Sequence, residues 1–161
     1  MFRRRNMGGR PFGRTNNSFG ATSYKEQNDW DPIEHFLYTY MHFIDYEGAQ
    51  SEEVTRDASI KVGSAVSSWF PEEVLIDSTI NLEKVIETIT NYRFNHDGDK
   101  DEIFNKSLIF IKDWFKNDPE KMEIMLDEIW EIIAIDNQLT NREKNLFLIV
   151  SKVFDIKVDL E

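Results

Sequence analysis

Three aspartates in the middle of the chain have the spacing of a calcium-binding loop. Asp97, Asp99 and Asp101 stand at alternate positions, as the first three ligands of an EF-hand do. The rest of that pattern is missing, because Glu102 occupies the position where the loop turns sharply on a Gly, and Leu108 replaces the closing bidentate Glu. Carboxylates before a helix are also stabilised by the helix dipole. We therefore predict a solvated loop at a helix N-terminus.

Two of the three histidines also have a spacing that could hold a metal. His35 and His42 are two helical turns apart, and Asp45 follows one turn later. A zinc or di-iron site would need Glu-x-x-His or His-Glu-x-x-His pairs or thiolates, and the chain has neither pair and no Cys. We therefore predict that both histidines are ordinary surface or half-buried side chains.

Nucleophilic and nucleotide chemistry are not indicated by any motif. The sequence has no Gly-x-Ser-x-Gly elbow, no Walker loop and no dinucleotide-binding glycine pattern. Its 30 acidic residues are scattered over the predicted helices, which is typical of a solvated surface. We expect a protein that is not an enzyme.

A polar turn separates the last two helical patterns. Thr140 and Glu143 have the spacing of a capping box, in which the Thr hydroxyl accepts the Glu backbone N–H and the carboxylate accepts the Thr N–H. Asn137 precedes them and tolerates a positive φ. The sequence therefore predicts a helix that ends near Asp136 and another that begins after Thr140.

The helices that would position these residues follow from caps and apolar spacing. Asp31-Pro32 and Asp118-Pro119 each place an N-cap before a first-turn Pro, and Ser51 caps another helix. A short helical turn is expected at residues 72–77, and residues 156–158 resemble a strand stub that cannot build a sheet alone. These patterns predict an all-α single bundle of six to seven helices. The predicted inward-facing residues are Ile33, Phe36, Leu37, Tyr40, Met41 and Ile44; Val54, Ala58, Val62, Ala65, Val66 and Trp69; Leu82, Val85, Ile86, Ile89 and Tyr92; Phe104, Leu108, Ile111 and Phe115; Met122, Met125, Leu126, Ile129 and Ile133; and Leu146, Phe147, Val150 and Phe154.

Length and composition favour one core. The 161 residues suffice for one packed domain, which we expect over residues 29–161. No apolar run reaches the ~20 residues of a membrane helix, and the first residues lack the apolar region of a secretory signal. With no Cys in the chain, we expect a cytoplasmic protein with no transmembrane segment.

The N-terminal residues differ from the rest in charge. Residues 1–28 carry six basic groups and one acid, a net charge of +5, whereas the other 133 residues carry 13 basic and 29 acidic groups, a net of −16. Such a polar, Gly- and Asn-rich stretch is typical of disorder, so we predict a disordered basic arm that spans ~90 Å when extended. The residues predicted to bind a partner through this arm are Arg3, Arg4, Arg5, Arg10, Phe12, Arg14 and Phe19.

Several partners suit a basic arm. A protein surface or a second copy of this chain would offer acidic side chains to the arginines and pockets to the phenylalanines. Nucleic acid would also attract the arginines, but the acidic body would repel it, so it is not expected as the main partner. An organellar transit peptide and a dispensable terminus are further alternatives.

Four residues around the polar turn match a known family pattern. Ala134, Asp136, Leu139 and Glu143 fit Ala-x-Asp-Gly-x-hydrophobic-x-x-x-Glu, with Asn137 in place of the Gly. Over residues 33–154 the chain thus resembles the TerB-like family, the helical domain of tellurite-resistance proteins that also occurs in a membrane-anchored DnaJ-like chaperone partner. A similar Ile-Asp turn at residues 43–51, two residues longer, indicates an internal duplication.

The resemblance implies cation binding at the acidic turns. The residues it assigns are Asp136 and Glu143, joined by Asp45 and Glu47 if the two turns approach each other. A divalent cation such as Ca²⁺ takes six to eight oxygens, and the last turn alone supplies about half of them, so binding would be weak. The capping box at Thr140 is the alternative explanation of Glu143.

Two functional hypotheses follow. The resemblance implies a non-enzymatic adaptor of the tellurite-resistance and stress-response type that works through protein–protein interaction. The alternative is a structural component of a larger particle, docked through the basic arm, because the body is rich in aromatic residues and the arm is long enough to reach a neighbouring subunit.

Overall fold

The computed structural model describes residues 26–44, 51–75, 87 and 99–160. Over these residues the chain forms six α-helices and no strand, which confirms the predicted all-α class. The predicted stripe from Leu82 to Tyr92 lies outside them except for Glu87, which is helical. The helices are α1 Pro32–Met41, α2 Glu52–Trp69, α3 Pro71–Leu75, α4 Lys100–Trp114, α5 Pro119–Ile133 and α6 Asn141–Val153, with 3₁₀ turns at Gln27–Asp29 and Ala134–Asp136.

The helices begin where the caps predict. Ser51 Oγ accepts the Val54 N–H at 3.2 Å ahead of α2. Asp118 Oδ1 accepts the Glu120 N–H at 3.1 Å ahead of Pro119 and α5. Because these side chains satisfy backbone donors that have no partner inside the helix, they fix the first turn in place.

Helices α4 and α6 end in left-handed residues that are not glycine. Asp155 has φ 57° after α6, and Lys116 and Asn117 have φ 56° and 59° after α4. After α6, the Ile156 N–H bonds Ser151 O at 2.9 Å and the Asp155 N–H bonds Lys152 O at 3.3 Å, the two bonds of a Schellman motif. This motif turns the last residues of the chain sharply away from the axis of α6.

Helix α1 is buried on every side. All nine residues from Ile33 to Met41 are buried, although the apolar spacing predicts a single inward-facing stripe. The helix packs against α2 and α4. Its polar residues Glu34 and Thr39 are therefore also inside the protein, and α1 is the central helix of the described bundle.

Aromatic rings surround one residue of α1. Phe36 is fully buried, and its ring centroid lies 5.1 to 5.8 Å from those of Trp69, Phe70, Trp114 and Phe115. Three of these contacts are edge-on, the favoured geometry for aromatic quadrupoles. This aromatic cluster joins α1 to α2 and α4.

The remaining predicted core positions agree with the structure. All of those predicted on α4 to α6, and on α2 apart from the half-buried Val54 and Trp69, are buried. Gln27, within the predicted arm, is also buried, so packing already begins at the first 3₁₀ turn. None of the helices in the described ranges has the length and apolar character needed to cross a membrane.

Replacing Phe36 tests the central role of α1. We expect Phe36→Ala to lower the free energy of unfolding by about 3–5 kcal/mol, because the cavity would lie among rings that cannot all move inward. Urea unfolding measures the change. The control Ile60→Ala, at a side chain that is 63% exposed, should stay within about 0.5 kcal/mol of the parent. A Phe36→Ala effect below ~1 kcal/mol would contradict this description of the core.

Candidate functional site

The predicted capping box at the last turn is present. Glu143 Oε2 accepts the Thr140 N–H and the Thr140 hydroxyl, both at 2.9 Å, and the Glu143 N–H bonds Thr140 Oγ1 at 3.1 Å. Glu143 is only 4% exposed. Its carboxylate therefore has a structural role at the start of α6.

Asp136 is likewise engaged within the turn. Its Oδ1 accepts the Gln138 N–H at 2.9 Å, and Asn137 has φ 58° and ψ 24°, the left-handed conformation that its sequence position predicts. In the described part of the chain, no group of three or more His, Asp or Glu side chains could hold a metal ion. Asp45 and Glu47 lie outside the described residues, so cation binding by the two turns stays a prediction.

His35 belongs to a buried polar network. Its Nδ1 lies 3.1 Å from Ser107 Oγ, which accepts a hydrogen bond from Gln27 Nε2 at 3.1 Å. The imidazole stacks on Phe110 with ring centroids 4.0 Å apart. Burial lowers the pKa of His35 to about 4, so the ring is neutral at physiological pH. Ser107 can therefore donate its proton to Nδ1.

His42 follows α1 and is even less exposed. Its Nε2 lies 3.2 Å from Asp101 Oδ1, and its ring stacks on Phe104 at 4.5 Å. Its carbonyl oxygen accepts a hydrogen bond from the Arg142 guanidinium at 2.7 Å. The prediction of surface or half-buried histidines was wrong for both, because the neighbours that cover them come from distant helices.

The described aspartates of the EF-hand-like stretch make hydrogen bonds at the N-terminus of α4. Asp99 Oδ1 accepts the Asp101 N–H at 2.9 Å, and Asp101 pairs with His42. Asp97 lies outside the described residues. In the described part of this stretch, the aspartates lie at a helix N-terminus, as the sequence predicts.

A second polar cluster lies at the edge of the aromatic core. Glu128 Oε1 accepts the Trp69 indole N–H at 2.7 Å and the Tyr40 hydroxyl at 3.1 Å. Burial is the main reason that the pKa values of Glu128 and Tyr40 are both raised. Because both donors point at one carboxylate oxygen, the cluster binds α1, α2 and α5 together and leaves that oxygen little capacity to act as a general base.

The described surface also has an open groove of about 460 Å³. Two of its residues are large and exposed, Trp130 at 40% and Leu139 at 39%, and the Trp130 ring meets that of Phe147 edge-on at 5.4 Å. Such a concave apolar surface with an exposed indole is typical of binding sites. The residues that line this groove are Asp127, Trp130, Leu139, Phe147, Val158, Asp159 and Leu160.

Three structural features shape the groove. The last turn, held by the capping box, brings Leu139 beside α5 and α6. The Schellman motif at Asp155 then redirects the chain, and residues 156–160 follow without helix or strand. In that segment Ile156, Val158 and Leu160 pack against the core. The last turn, the Schellman motif and the segment that follows it therefore form the groove together with α5 and α6.

The sequence indicated only part of this site. Leu139 was selected as a motif residue and Phe147 as a core residue, whereas Trp130 fitted no predicted stripe. A Trp outside the inward-facing stripe of an amphipathic helix is expected to be exposed. This position of Trp130 is the sequence signal that could have located the groove. The seven arm residues predicted to bind a partner, from Arg3 to Phe19, lie outside the described residues.

Stability should depend on pH through His35. Its folded-state pKa of about 4 is below its ordinary value of 6.5, so the unfolded chain binds a proton first as the pH falls. The stability that the buried, neutral imidazole contributes is complete above about pH 6.5 and is lost by about pH 4. The free energy of unfolding should therefore fall by about 3 kcal/mol as the pH is lowered over this interval. Urea unfolding at a series of pH values, for the parent and for His35→Gln, measures this change. The carboxylates titrate in both proteins, so the difference between the two curves belongs to His35. Parallel pH curves would contradict the prediction.

The capping box can be tested separately. We expect Glu143→Ala to lower the free energy of unfolding by about 1–2 kcal/mol, because the part-buried Thr140 N–H loses its acceptor and α6 loses its capping box. Glu143→Gln is the matched control, since an amide oxygen can replace the carboxylate in a capping box. Thermal unfolding of both variants gives the answer. If Glu143→Ala were as stable as Glu143→Gln, the carboxyl group would not hold this turn.

Comparison with known proteins adds no relative. No family model, no curated protein and no solved structure matches this chain. The resemblance to TerB-like domains therefore rests on Ala134, Asp136, Leu139 and Glu143, and membership of that family stays a prediction.

Proposed function

We propose that this protein is a non-enzymatic helical adaptor that binds a protein partner in the groove beside the last turn. The observation that carries this proposal is the exposed Trp130 within an apolar groove. Trp is enriched at the centres of protein interfaces because a large rigid side chain is desolvated at low entropic cost. The TerB-like pattern around Leu139 supports the same conclusion and suggests a stress-response role of the tellurite-resistance type.

The polar clusters elsewhere in the described residues favour an adaptor over an enzyme. The side chains of His35, Glu128 and Glu143 are all held by hydrogen bonds within the fold. His35 and Glu128 bond residues that are distant in the sequence, and Glu143 bonds Thr140 at the start of α6, so each has a structural role. The groove differs from them because its apolar side chains remain accessible.

A second candidate is a structural component of a larger assembly. It is favoured by isolated apolar side chains outside the groove: Ile60 on α2 is 63% exposed, Ile109 on α4 is 55% exposed and Ile124 on α5 is 47% exposed. Side chains on three separate helices would suit simultaneous contacts with several neighbours. In this alternative the groove is one contact among many.

Truncation of the apolar side chains of the groove should distinguish the adaptor role from the assembly role. We expect the double variant Trp130→Ala/Leu139→Ala to reduce partner co-purification from the source cell at least tenfold at moderate salt, with unchanged helical content. A tenfold loss corresponds to about 1.4 kcal/mol, which is more than the ~1 kcal/mol that truncation of most interface residues costs.

The matched control is Ile60→Ala/Ile109→Ala, which removes exposed apolar side chains outside the groove. An adaptor should tolerate this control. If the control breaks the complex while the groove variant keeps it, the assembly role is correct and the adaptor proposal is wrong.

A further inference from the structure

We propose that the groove binds an extended peptide as an added β-strand, and that its occupant is the N-terminal segment of this chain, residues 1–14. This inference rests on the proposed function, because it requires the groove to be a protein-binding surface. Three observations carry it: the burial pattern of the chain beside the groove, the charge of the groove, and the residue types of the segment.

The residues beside the groove have the burial pattern of an extended chain. From Asp155 to Leu160 exposed and half-buried residues alternate, with Ile156, Val158 and Leu160 turned toward the core. This two-residue period is that of a strand. Within the described residues, the backbone of residues 157–160 makes no hydrogen bond. An extended segment with unused backbone donors and acceptors can pair with a second extended segment.

The charge of the groove selects a basic occupant. Two of its lining residues, Asp127 and Asp159, are acidic, and none is basic. Both aspartates are exposed; Asp127 lies on α5 and Asp159 lies in residues 156–160, which follow α6. A peptide in the groove would therefore meet two carboxylates from separate parts of the chain, which favours an occupant with several arginines.

Residues 1–14 have that chemistry. They contain five arginines and no acid, together with Phe2 and Phe12. An aromatic side chain can insert beside Trp130 and Leu139 while neighbouring arginines reach Asp127 and Asp159. This pairing also explains why basic charge is concentrated at one end of an otherwise acidic chain.

The reach of the N-terminal residues allows binding within one chain or between copies. Twenty-five residues precede Glu26, the first described residue, and at ~3.3 Å per residue they span ~80 Å when extended. Within one chain the segment would occlude the groove against external partners. Between copies it would link one molecule to the next.

Photo-crosslinking in the full-length protein tests the proposal. The chain has no Cys, so Gln138→Cys offers a single thiol for a benzophenone probe at the residue before Leu139, which lines the groove. A probe at Ile60→Cys, on α2, is the matched control. We expect cross-links to residues 1–14, mapped by mass spectrometry, to be at least fivefold more abundant from position 138 than from position 60. Equal yields from the two positions would overturn the proposal.

Charge variants make the test specific to this groove. We expect Asp127→Asn/Asp159→Asn to reduce the cross-linking from position 138 at least threefold. The control Glu52→Gln/Asp57→Asn makes the same change in net charge on exposed residues of α2 and should leave the yield unchanged. If the yield persists without the two groove aspartates, recognition by charge, and with it the proposal, is wrong.

Mixing experiments identify the donor copy and separate this proposal from the previous one. When isotope-labelled chains are mixed with unlabelled chains that carry the probe, heavy cross-linked peptides form only if the segment comes from another copy. Heavy or light peptides from residues 1–14 both support the segment as the occupant. Cross-links from position 138 that contain only another protein would overturn it while leaving the adaptor function intact. If Trp130→Ala/Leu139→Ala affects neither partner binding nor cross-linking, both proposals are wrong.

Discussion

The main constraint on this fold is that its central helix carries polar groups into a fully buried position. A buried hydrogen-bonding group without a partner destabilises a protein by about 1–3 kcal/mol, so a helix such as α1 cannot simply be enclosed by apolar side chains. Its surroundings must supply matching donors and acceptors. The side-chain hydrogen-bond partners are Ser107 for His35, Asp101 for His42 and Glu128 for Tyr40. The positions of α4 and α5 relative to α1 are fixed by these requirements as much as by apolar packing.

The groove depends indirectly on the same constraint. Helix α5 is held to α1 and α2 through Glu128, while α6 is held at its start by the capping box and by the Arg142 bond to the carbonyl of His42. With both helices fixed, Trp130 and Phe147 are brought together at the surface. In the proposed adaptor role, a groove on helices held in this way would need little reordering on binding, which would reduce the entropic cost of association.

Local features of the sequence predicted the described helices well. Contacts between residues that are distant in the sequence could not be predicted from these features. The caps at Ser51, Asp118 and Thr140 and the left-handed Asn137 involve only neighbours in the chain, so the residue types sufficed. The burial of His35 depends on Ser107, 72 positions away. An amphipathic pattern identifies one covered side of a helix and cannot exclude that the other side is covered as well. The groove was missed for the same reason, since it combines α5, α6 and the extended segment.

The hydrogen bond from Arg142 to the carbonyl of His42 has a consequence for biosynthesis. It joins residues 100 positions apart and caps the C-terminus of the central helix with a group from the last helix. Translation proceeds from the N-terminus, so this donor is made 100 residues after its acceptor. The central helix therefore reaches its final state only after α6 has been synthesised. Chains that stop before α6 lack the Arg142 donor, so the carbonyl of His42 at the end of α1 loses this hydrogen bond.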